Sequence, residues 1–296
     1  MGKYRYDLNS ALLGGICRIL CALPLALVLV VLVSATTIPF DPSRGLVEIP
    51  VTIDGKITGH FGIDTGADRL YLNRSFALQN DLIPVQTPAS GHASGIGGQS
   101  QAQDIAVGSL KIGDEATLMN VQGSVIDLDA LSQGSSGNNP DGLIGFDVLR
   151  QFYITIDYPA QSIEMRTDAP RYLDGRAYHT ITFKPFRHLI MVDVTVNGVT
   201  VPMALDYCSS YSIISTELAV KLGLKYDSAN PFVQLAQTSV TEDLQSSDVT
   251  AVVMSFDGYR HSYPQLDIQG LLGGTFLKTH VITVDYRANH IYIPYR

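Results

Sequence analysis

Two aspartates stand at matching places in the chain, each between two apolar segments. Asp64 begins the triplet Asp-Thr-Gly, and Asp206 begins the triplet Asp-Tyr-Cys 142 residues later. An aspartate on a tight turn, present twice in one chain, can bring two carboxyl groups together around one water molecule. Two like charges at that distance cannot both ionise, so one carboxyl keeps a proton and acts as an acid while the other acts as a base.

The segment before each aspartate has the pattern of a β-hairpin. Apolar and polar residues alternate over 47–53 and over 192–196, and these runs lead into the dipeptides Asp54-Gly55 and Asn197-Gly198. Such alternation is typical of a half-buried strand, and these dipeptides are typical of a tight hairpin turn. We therefore expect each aspartate to follow the second strand of a hairpin.

A second pair of blocks repeats later in the chain without a gap. Gly-Leu-Ile-Gly at 142–145 and Thr-Ile-Asp-Tyr at 155–158 return as Gly-Leu-Leu-Gly at 270–273 and Thr-Val-Asp-Tyr at 283–286. Repeats of this size predict two copies of one domain rather than a solenoid, whose periods are much shorter. The recurring Asp157 and Asp285 each follow a strand, so we expect them to cap turns.

These motifs together resemble the retropepsin-like aspartic proteases, with two copies fused as in the two-lobed pepsins. The resemblance rests on Asp-Thr-Gly-Ala at 64–67 after an apolar strand and on Leu-Ile-Gly at 143–145, and it covers most of the chain after residue 44. It implies an all-β fold with a few short helices, arranged as a two-lobed, internally duplicated β-barrel structure of the acid-protease type.

The resemblance also implies roles for individual residues. Asp64 and Asp206 would hold the attacking water, and Thr65 and Gly66 would support the first catalytic loop, with the Thr65 hydroxyl bonded across to the other lobe. The glycine-bearing flap that covers the substrate is expected at Ile96, Gly97 and Gly98. An extended peptide or protein would be the substrate, no cofactor would be needed, and activity would lie on the acidic side.

The second copy departs from the family pattern. Tyr207 is too large to replace the family's Thr, and Cys208 would be strained if the site required a positive φ. The stretch 233–241 has no glycine for a second flap. Three hypotheses follow: a single-chain endopeptidase, a homodimer that pairs Asp64 from two chains, and a non-catalytic peptide-binding protein. The sequence does not predict the oligomeric state.

Length and composition agree with two β domains. The 296 residues, 46% of them hydrophobic, are enough for two ordinary cores. We predict domains at 44–166 and 176–296, a linker at 167–175, and a surface loop at 132–139. Short helices are expected at residues 74–79, 146–151 and 216–222.

The N-terminal residues 1–35 have the features of a signal peptide or a signal anchor. Lys3, Arg5 and Arg18 precede an uncharged apolar stretch at 19–33, and small residues follow it. The sequence is compatible with cleavage of this segment and with membrane anchoring through 19–33. In either case the basic residues stay cytoplasmic and the two β domains lie outside the membrane.

The net charge and the histidine and cysteine residues limit which ligands the protein can bind. The net charge of −8 argues against nucleic acid as a ligand. The seven histidines show no metal-binding spacing, so we expect no metal. Cys17 and Cys21 belong to the N-terminal segment, and a cleaved product would keep only Cys208, which is expected to be an inert buried thiol.

Overall fold

The computed structural model describes residues 29–31, 36–83, 91–95, 98–113, 116–131, 139–170 and 178–295. The predicted flap residues Ile96 and Gly97, most of the N-terminal segment, and parts of the predicted linker and surface loop lie outside these ranges. The described residues form mainly β-strands with a few short helices. The predicted fold class is therefore confirmed.

Twenty-one strands are present in the described part of the chain. In order they are β1 (Leu29–Val31), β2 (Thr36–Pro39), β3 (Glu48–Ile53), β4 (Ile57–Ile63), β5 (Leu70–Asn73), β6 (Gly91–Gly95), β7 (Gly98–Ile112), β8 (Ala116–Ile126), β9 (Gly142–Ile144), β10 (Tyr153–Asp157), β11 (Ser162–Arg166), β12 (Tyr178–Thr182), β13 (Lys184–Phe186), β14 (Leu189–Val196), β15 (Val199–Leu205), β16 (Ser212–Ser215), β17 (Phe232–Ser239), β18 (Gln245–Met254), β19 (Gly270–Leu272), β20 (Val281–Asp285) and β21 (His290–Pro294). The helices are α1 (Arg74–Gln79), α2 (Leu128–Leu131), α3 (Phe146–Leu149), α4 (Thr216–Lys221), α5 (Asp257–Ser262) and α6 (Gly274–Leu277), with a 3-10 turn at Pro42–Arg44.

Each lobe is a closed barrel of six strands. The first barrel runs β3-β4-β9-β5-β8-β7 and closes where β7 pairs with β3. The second runs β14-β15-β19-β16-β18-β17 and closes where β17 pairs with β14. Corresponding strands pair in the same directions, with the parallel pairs β4–β9 and β15–β19 at matching places. The two lobes therefore share one topology.

A six-stranded sheet, β12-β21-β20-β10-β11-β2, joins the lobes. Its central pair is β10 and β20, in which Thr155 stands opposite Thr283. Their buried hydroxyl oxygens are 2.6 Å apart, and the residues are separated by the repeat offset of 128. The pair thus marks the approximate twofold relation between the copies.

The two predicted hairpin turns are confirmed. Asp54 and Gly55 have φ of 51° and 67°, and Asn197 and Gly198 have φ of 46° and 85°. Positive φ at both central residues is typical of the tight turn that suits the twist of paired strands. In each lobe this turn fixes the register of the strand that ends at the aspartate.

The predicted turn aspartates are also confirmed. Asp157 Oδ1 accepts a hydrogen bond from the Ala160 N–H at 2.8 Å, and Asp285 Oδ1 accepts one from the Arg287 N–H at 3.0 Å. Both side chains therefore stabilise the turns that follow β10 and β20.

The predicted helices are present with small differences at their ends. α1 has the expected bounds, whereas α4 ends one residue and α3 two residues earlier than expected. Helices α2, α5 and α6 were not predicted. α6 could have been predicted from the repeat, because it lies 128 residues after α3, which is the repeat offset.

Two strands lie near the N-terminus. Leu29–Val31 pairs with β8, and Thr36–Pro39 pairs with β11. No helix in the described part of the chain is long and apolar enough to cross a membrane. The targeting role of residues 1–35 stays a prediction.

Candidate active site

Asp64 and Asp206 occupy equivalent positions in the two lobes. Asp64 directly follows β4, and its backbone N–H donates to the carbonyl of Ile144 at 3.0 Å. Asp206 directly follows β15, and its N–H donates to the carbonyl of Leu272 at 3.0 Å. The repeated Gly-Leu-Ile-Gly block therefore supplies the strand that holds each aspartate in place.

The two carboxyl groups face a common space. A Cβ atom placed on Gly66 would lie 3.2 Å from Oδ1 of Asp64 and 3.4 Å from Oδ2 of Asp206. Glycine at this position leaves the space between the carboxyls open. The structure thus brings together the two aspartates that the sequence predicted to form a pair.

Matching backbone donors hold the two carboxylates. The Gly66 N–H donates to Asp64 Oδ1 at 2.7 Å, and the Cys208 N–H donates to Asp206 Oδ1 at 2.8 Å. The second loop therefore keeps the hydrogen bond of the first loop, although its triplet differs in sequence.

The surroundings favour a shared proton on this pair. Burial raises the pKa of Asp64 above its ordinary value of 3.8, and the negative charge of Asp206 raises it further. Burial also raises the pKa of Asp206. Because both shifts favour the neutral form, one proton stays on the pair to higher pH than on isolated carboxyls, and an acid and a base are available together.

Thr65 ties the first loop to the second lobe. Its hydroxyl donates to the carbonyl of Leu205 at 2.7 Å and accepts from the Tyr207 N–H at 3.3 Å. Thr65 is almost fully buried. The cross-lobe contact implied by the family resemblance is confirmed for the first copy.

Tyr207 does something different from the family's threonine. Its side chain is only 1% exposed and stacks on Tyr158, with ring centroids 6.2 Å apart and planes at 22°. The aromatic ring is part of the core that joins the lobes. Packing therefore replaces the second hydroxyl contact.

The condition for backbone strain at Cys208, a positive φ, is not met. Neither Gly66 nor Cys208 has a positive φ, so the loop does not require glycine on conformational grounds. The Cys208 side chain instead occupies room left by the other lobe, because a Cβ on Gly62 would lie 2.9 Å from its Sγ. Burial and then the charges of Asp64 and Asp206 raise the pKa of the Cys208 thiol well above its ordinary value, which agrees with an inert thiol.

Restoring the family residue at position 207 should therefore destabilise the protein. Tyr207→Thr would leave a cavity beside Tyr158, and we expect the free energy of unfolding to fall by about 3 kcal/mol. Tyr207→Phe, which keeps the ring, should cost clearly less. Urea unfolding of both variants measures the difference; equal stability of Tyr207→Thr and wild type would show that a new hydroxyl contact compensates.

In the sequence, the predicted flap residues stand where β6 ends and β7 begins in the first lobe. Strands β6 and β7 pair up to Gly95 and Gly98, and Gly98 has a φ of 137°. In the second lobe, the described residues between α4 and β17 contain no strand that matches β6. The described residues of the second lobe therefore contain no counterpart of the β6–β7 pair. The role of residues 96–98 stays a prediction.

A polar cavity of about 200 Å³ lies between strands β6 and β7 and the loop that follows Asp64. It is lined by Asp68, Arg69, Tyr71, Gly91, His92, Ala102, Asp104 and Ser124. Asp68 accepts a hydrogen bond from the Tyr71 hydroxyl at 2.6 Å, and Arg69 lies 3.5 Å from Asp68 and 3.9 Å from Asp104. A polar side chain fits this lining better than a large apolar one.

His188 of the second lobe contacts the loop that follows Asp64, and no sequence pattern pointed to it. Its Nε2 lies 2.8 Å from the carbonyl oxygen of Gly66. A single histidine in a turn belongs to no motif, and its partner lies 122 residues away, so no sequence signal indicated it.

A family model for aspartyl proteases matches residues 49–148 and 192–276. The chain belongs to this family. The two matches fall one on each barrel, so the predicted duplication of an aspartyl protease unit is confirmed. Among solved structures, the chain is similar to a retropepsin-like aspartic protease from Rickettsia conorii, with 22% identity, a TM-score of 0.35, and coverage of 45% of this chain and 99% of that chain. The search of curated proteins gave no significant match.

Proposed function

We propose that the protein is an aspartic endopeptidase that hydrolyses peptide bonds with a water molecule held between Asp64 and Asp206. The observation that carries the proposal is the shared space between the two carboxyl groups, each held by a backbone donor of its own loop. Membership of the aspartyl protease family supports it.

The reaction needs only the two carboxyl groups and water. The ionised carboxyl takes a proton from the water as the water attacks the peptide carbonyl carbon, and the protonated carboxyl donates a hydrogen bond to the carbonyl oxygen. The proton then passes to the leaving nitrogen when the C–N bond breaks. Thr65 keeps the first loop fixed against Leu205 during these steps.

The pH dependence of cleavage tests this mechanism. Because the pKa values of Asp64 and Asp206 are both raised, the form with one shared proton persists above the pH at which ordinary carboxyls ionise. Activity should therefore extend from acidic pH toward neutrality and fall when the last shared proton is lost. We would digest a diverse peptide mixture with the full-length chain across acidic to alkaline pH and read the products by mass spectrometry.

Two results of this digestion would count against the proposal. A profile that keeps rising into alkaline pH would contradict the shared-proton mechanism. Peptide binding without cleavage at any pH would favour a non-catalytic peptide-binding protein.

If the cavity beside Asp68 receives a substrate side chain, cleaved sites should also be enriched in polar residues at one position.

The basic and apolar N-terminal segment supports a location outside the cytoplasm for the two lobes. We expect cell fractionation to recover the chain in a secreted, periplasmic or membrane-bound fraction. Recovery in the cytosol alone would contradict this part of the proposal.

A further inference from the structure

His188 connects the second lobe to the first catalytic loop. It lies in the turn between β13 and β14, and its half-buried ring places Nε2 2.8 Å from the carbonyl oxygen of Gly66. A carbonyl oxygen can only accept, so Nε2 carries the proton of this hydrogen bond. The second lobe thus reaches the loop at a second point, beside the contact of Thr65 with Leu205.

The contacted carbonyl belongs to the peptide group between Gly66 and Ala67. The Ala67 N–H of this peptide group donates to the Asp64 backbone carbonyl at 3.4 Å, and the Gly66 N–H donates to Asp64 Oδ1 at 2.7 Å. Both N–H groups lower the pKa of the Asp64 carboxyl against the effect of burial. A donor on the carbonyl fixes the plane of the Gly66–Ala67 peptide group and strengthens its N–H as a donor. His188 is therefore one peptide group away from a catalytic carboxyl.

Among the described residues, the equivalent position in the first lobe carries no side chain that could make this contact. The hairpin turns align Asp54 with Asn197, which places Gly45 at the position equivalent to His188. Gly45 has no side chain and packs closely on Ser210, where an added Cβ would lie 2.8 Å away. The second lobe, whose triplet departs from the family pattern, supplies a side chain that the first lobe lacks.

We propose that His188 is a positioning residue for peptide hydrolysis, which holds the Gly66–Ala67 peptide group so that its backbone donor stays directed at Asp64. The inference rests on the proposed endopeptidase function. It gives the second lobe a task beyond supplying Asp206.

Several charged groups face the His188 ring. Burial lowers the pKa of His188, and Arg187 lowers it further, whereas Asp68 and Asp147 raise it, as does the hydrogen bond to Gly66. The lowered pKa favours a neutral ring with the proton on Nε2 and a free electron pair on Nδ1. The hydrogen bond to Gly66 therefore does not depend on a charged ring.

Kinetics of two variants test the role in catalysis. We expect His188→Leu to lower kcat roughly 10- to 100-fold, because it releases the loop beside the dyad, and to leave KM within about twofold. His188→Gln carries an N–H donor at a similar reach and should recover most of the loss. His290→Leu is the matched control, because His290 is also half-buried and lies in β21; this variant should behave as wild type. A rise in KM with unchanged kcat would overturn the inference, because it would place His188 on the substrate.

Spectroscopy provides a test that does not need activity. In the full-length chain with labelled histidine and aspartate, we expect a neutral His188 ring protonated on Nε2, and a higher Asp64 pKa in His188→Leu than in wild type. A ring protonated on Nδ1, or an unchanged Asp64 pKa, would overturn the inference. If the wild type gives the expected spectra but cleaves no peptide, the proposed function fails while the contact and its effect on Asp64 stand.

Discussion

Asp64→Asn and Asp206→Asn should each lower peptide cleavage at least roughly 10³-fold. An amide at either position cannot exchange the proton that the two carboxyls share, so the pair loses its acid or its base. The measurement is kcat/KM of the full-length variants on a peptide that the wild type cleaves. Asp157→Asn is the matched control, because Asp157 caps a turn and Asn can accept the same hydrogen bond.

The pair of variants also separates the remaining hypotheses. Loss of cleavage in both supports a dyad within one chain. Loss in Asp64→Asn alone would place the site between two molecules, each supplying Asp64. Cleavage that survives in both would remove the dyad from the mechanism altogether.

Stability measurements show whether the loss of activity is chemical rather than structural. The folded-state pKa of Asp64 is raised, so its contribution to stability is fully present at acidic pH, below the ordinary pKa, and is lost as pH rises through the raised value. The asparagine of Asp64→Asn cannot ionise, so the variant does not lose this stability as the pH rises. We therefore expect the variant to exceed the wild type by at least about 1 kcal/mol in urea unfolding at pH 8, with a smaller difference at pH 4. A variant less stable at both pH values would show that the carboxyl has a structural role.

The parts of the site that repeat were predictable from the sequence. The hairpin, the aspartate after it and the Gly-Leu-Ile-Gly block all return in the second copy, the block as Gly-Leu-Leu-Gly. Local patterns of alternation and turn residues identify the hairpins. The expected Thr65 contact came from the family resemblance. In each case the information lies within a short segment or in its second copy.

The parts that differ between the copies were not predictable, because they depend on contacts between distant segments. Tyr207 is accommodated by Tyr158, and Cys208 by the missing side chain of Gly62. His188 meets Gly66 only after both lobes have folded. The altered second triplet is therefore accommodated by packing between segments that are distant in the sequence.

The last glycine of Gly-Leu-Ile-Gly, and of its copy Gly-Leu-Leu-Gly, lies directly against the loop that follows the aspartate of its lobe. A Cβ on Gly145 would lie 2.4 Å from the carbonyl oxygen of Arg69 and 2.7 Å from that of Ala67. The Phe146 N–H donates to the Ala67 carbonyl at 2.9 Å, so α3 begins in contact with the loop. In the second lobe, a Cβ on Gly273 would lie 2.2 Å from the carbonyl oxygen of Tyr211.

Gly145→Ala should therefore displace the first loop and separate the two carboxyls. Backbone atoms cannot yield as a flexible side chain can, so we expect a loss of about 3 kcal/mol in the free energy of unfolding and at least roughly a 10²-fold loss of kcat/KM for the fraction that remains folded. Urea unfolding and peptide cleavage measure the two effects. Gly258→Ala is the control, because a Cβ at this position in α5 meets no atom within 4 Å. Wild-type stability and activity in Gly145→Ala would mean that the loop can move by an ångström without harming the dyad, and the close backing of the loop would then have no part in catalysis.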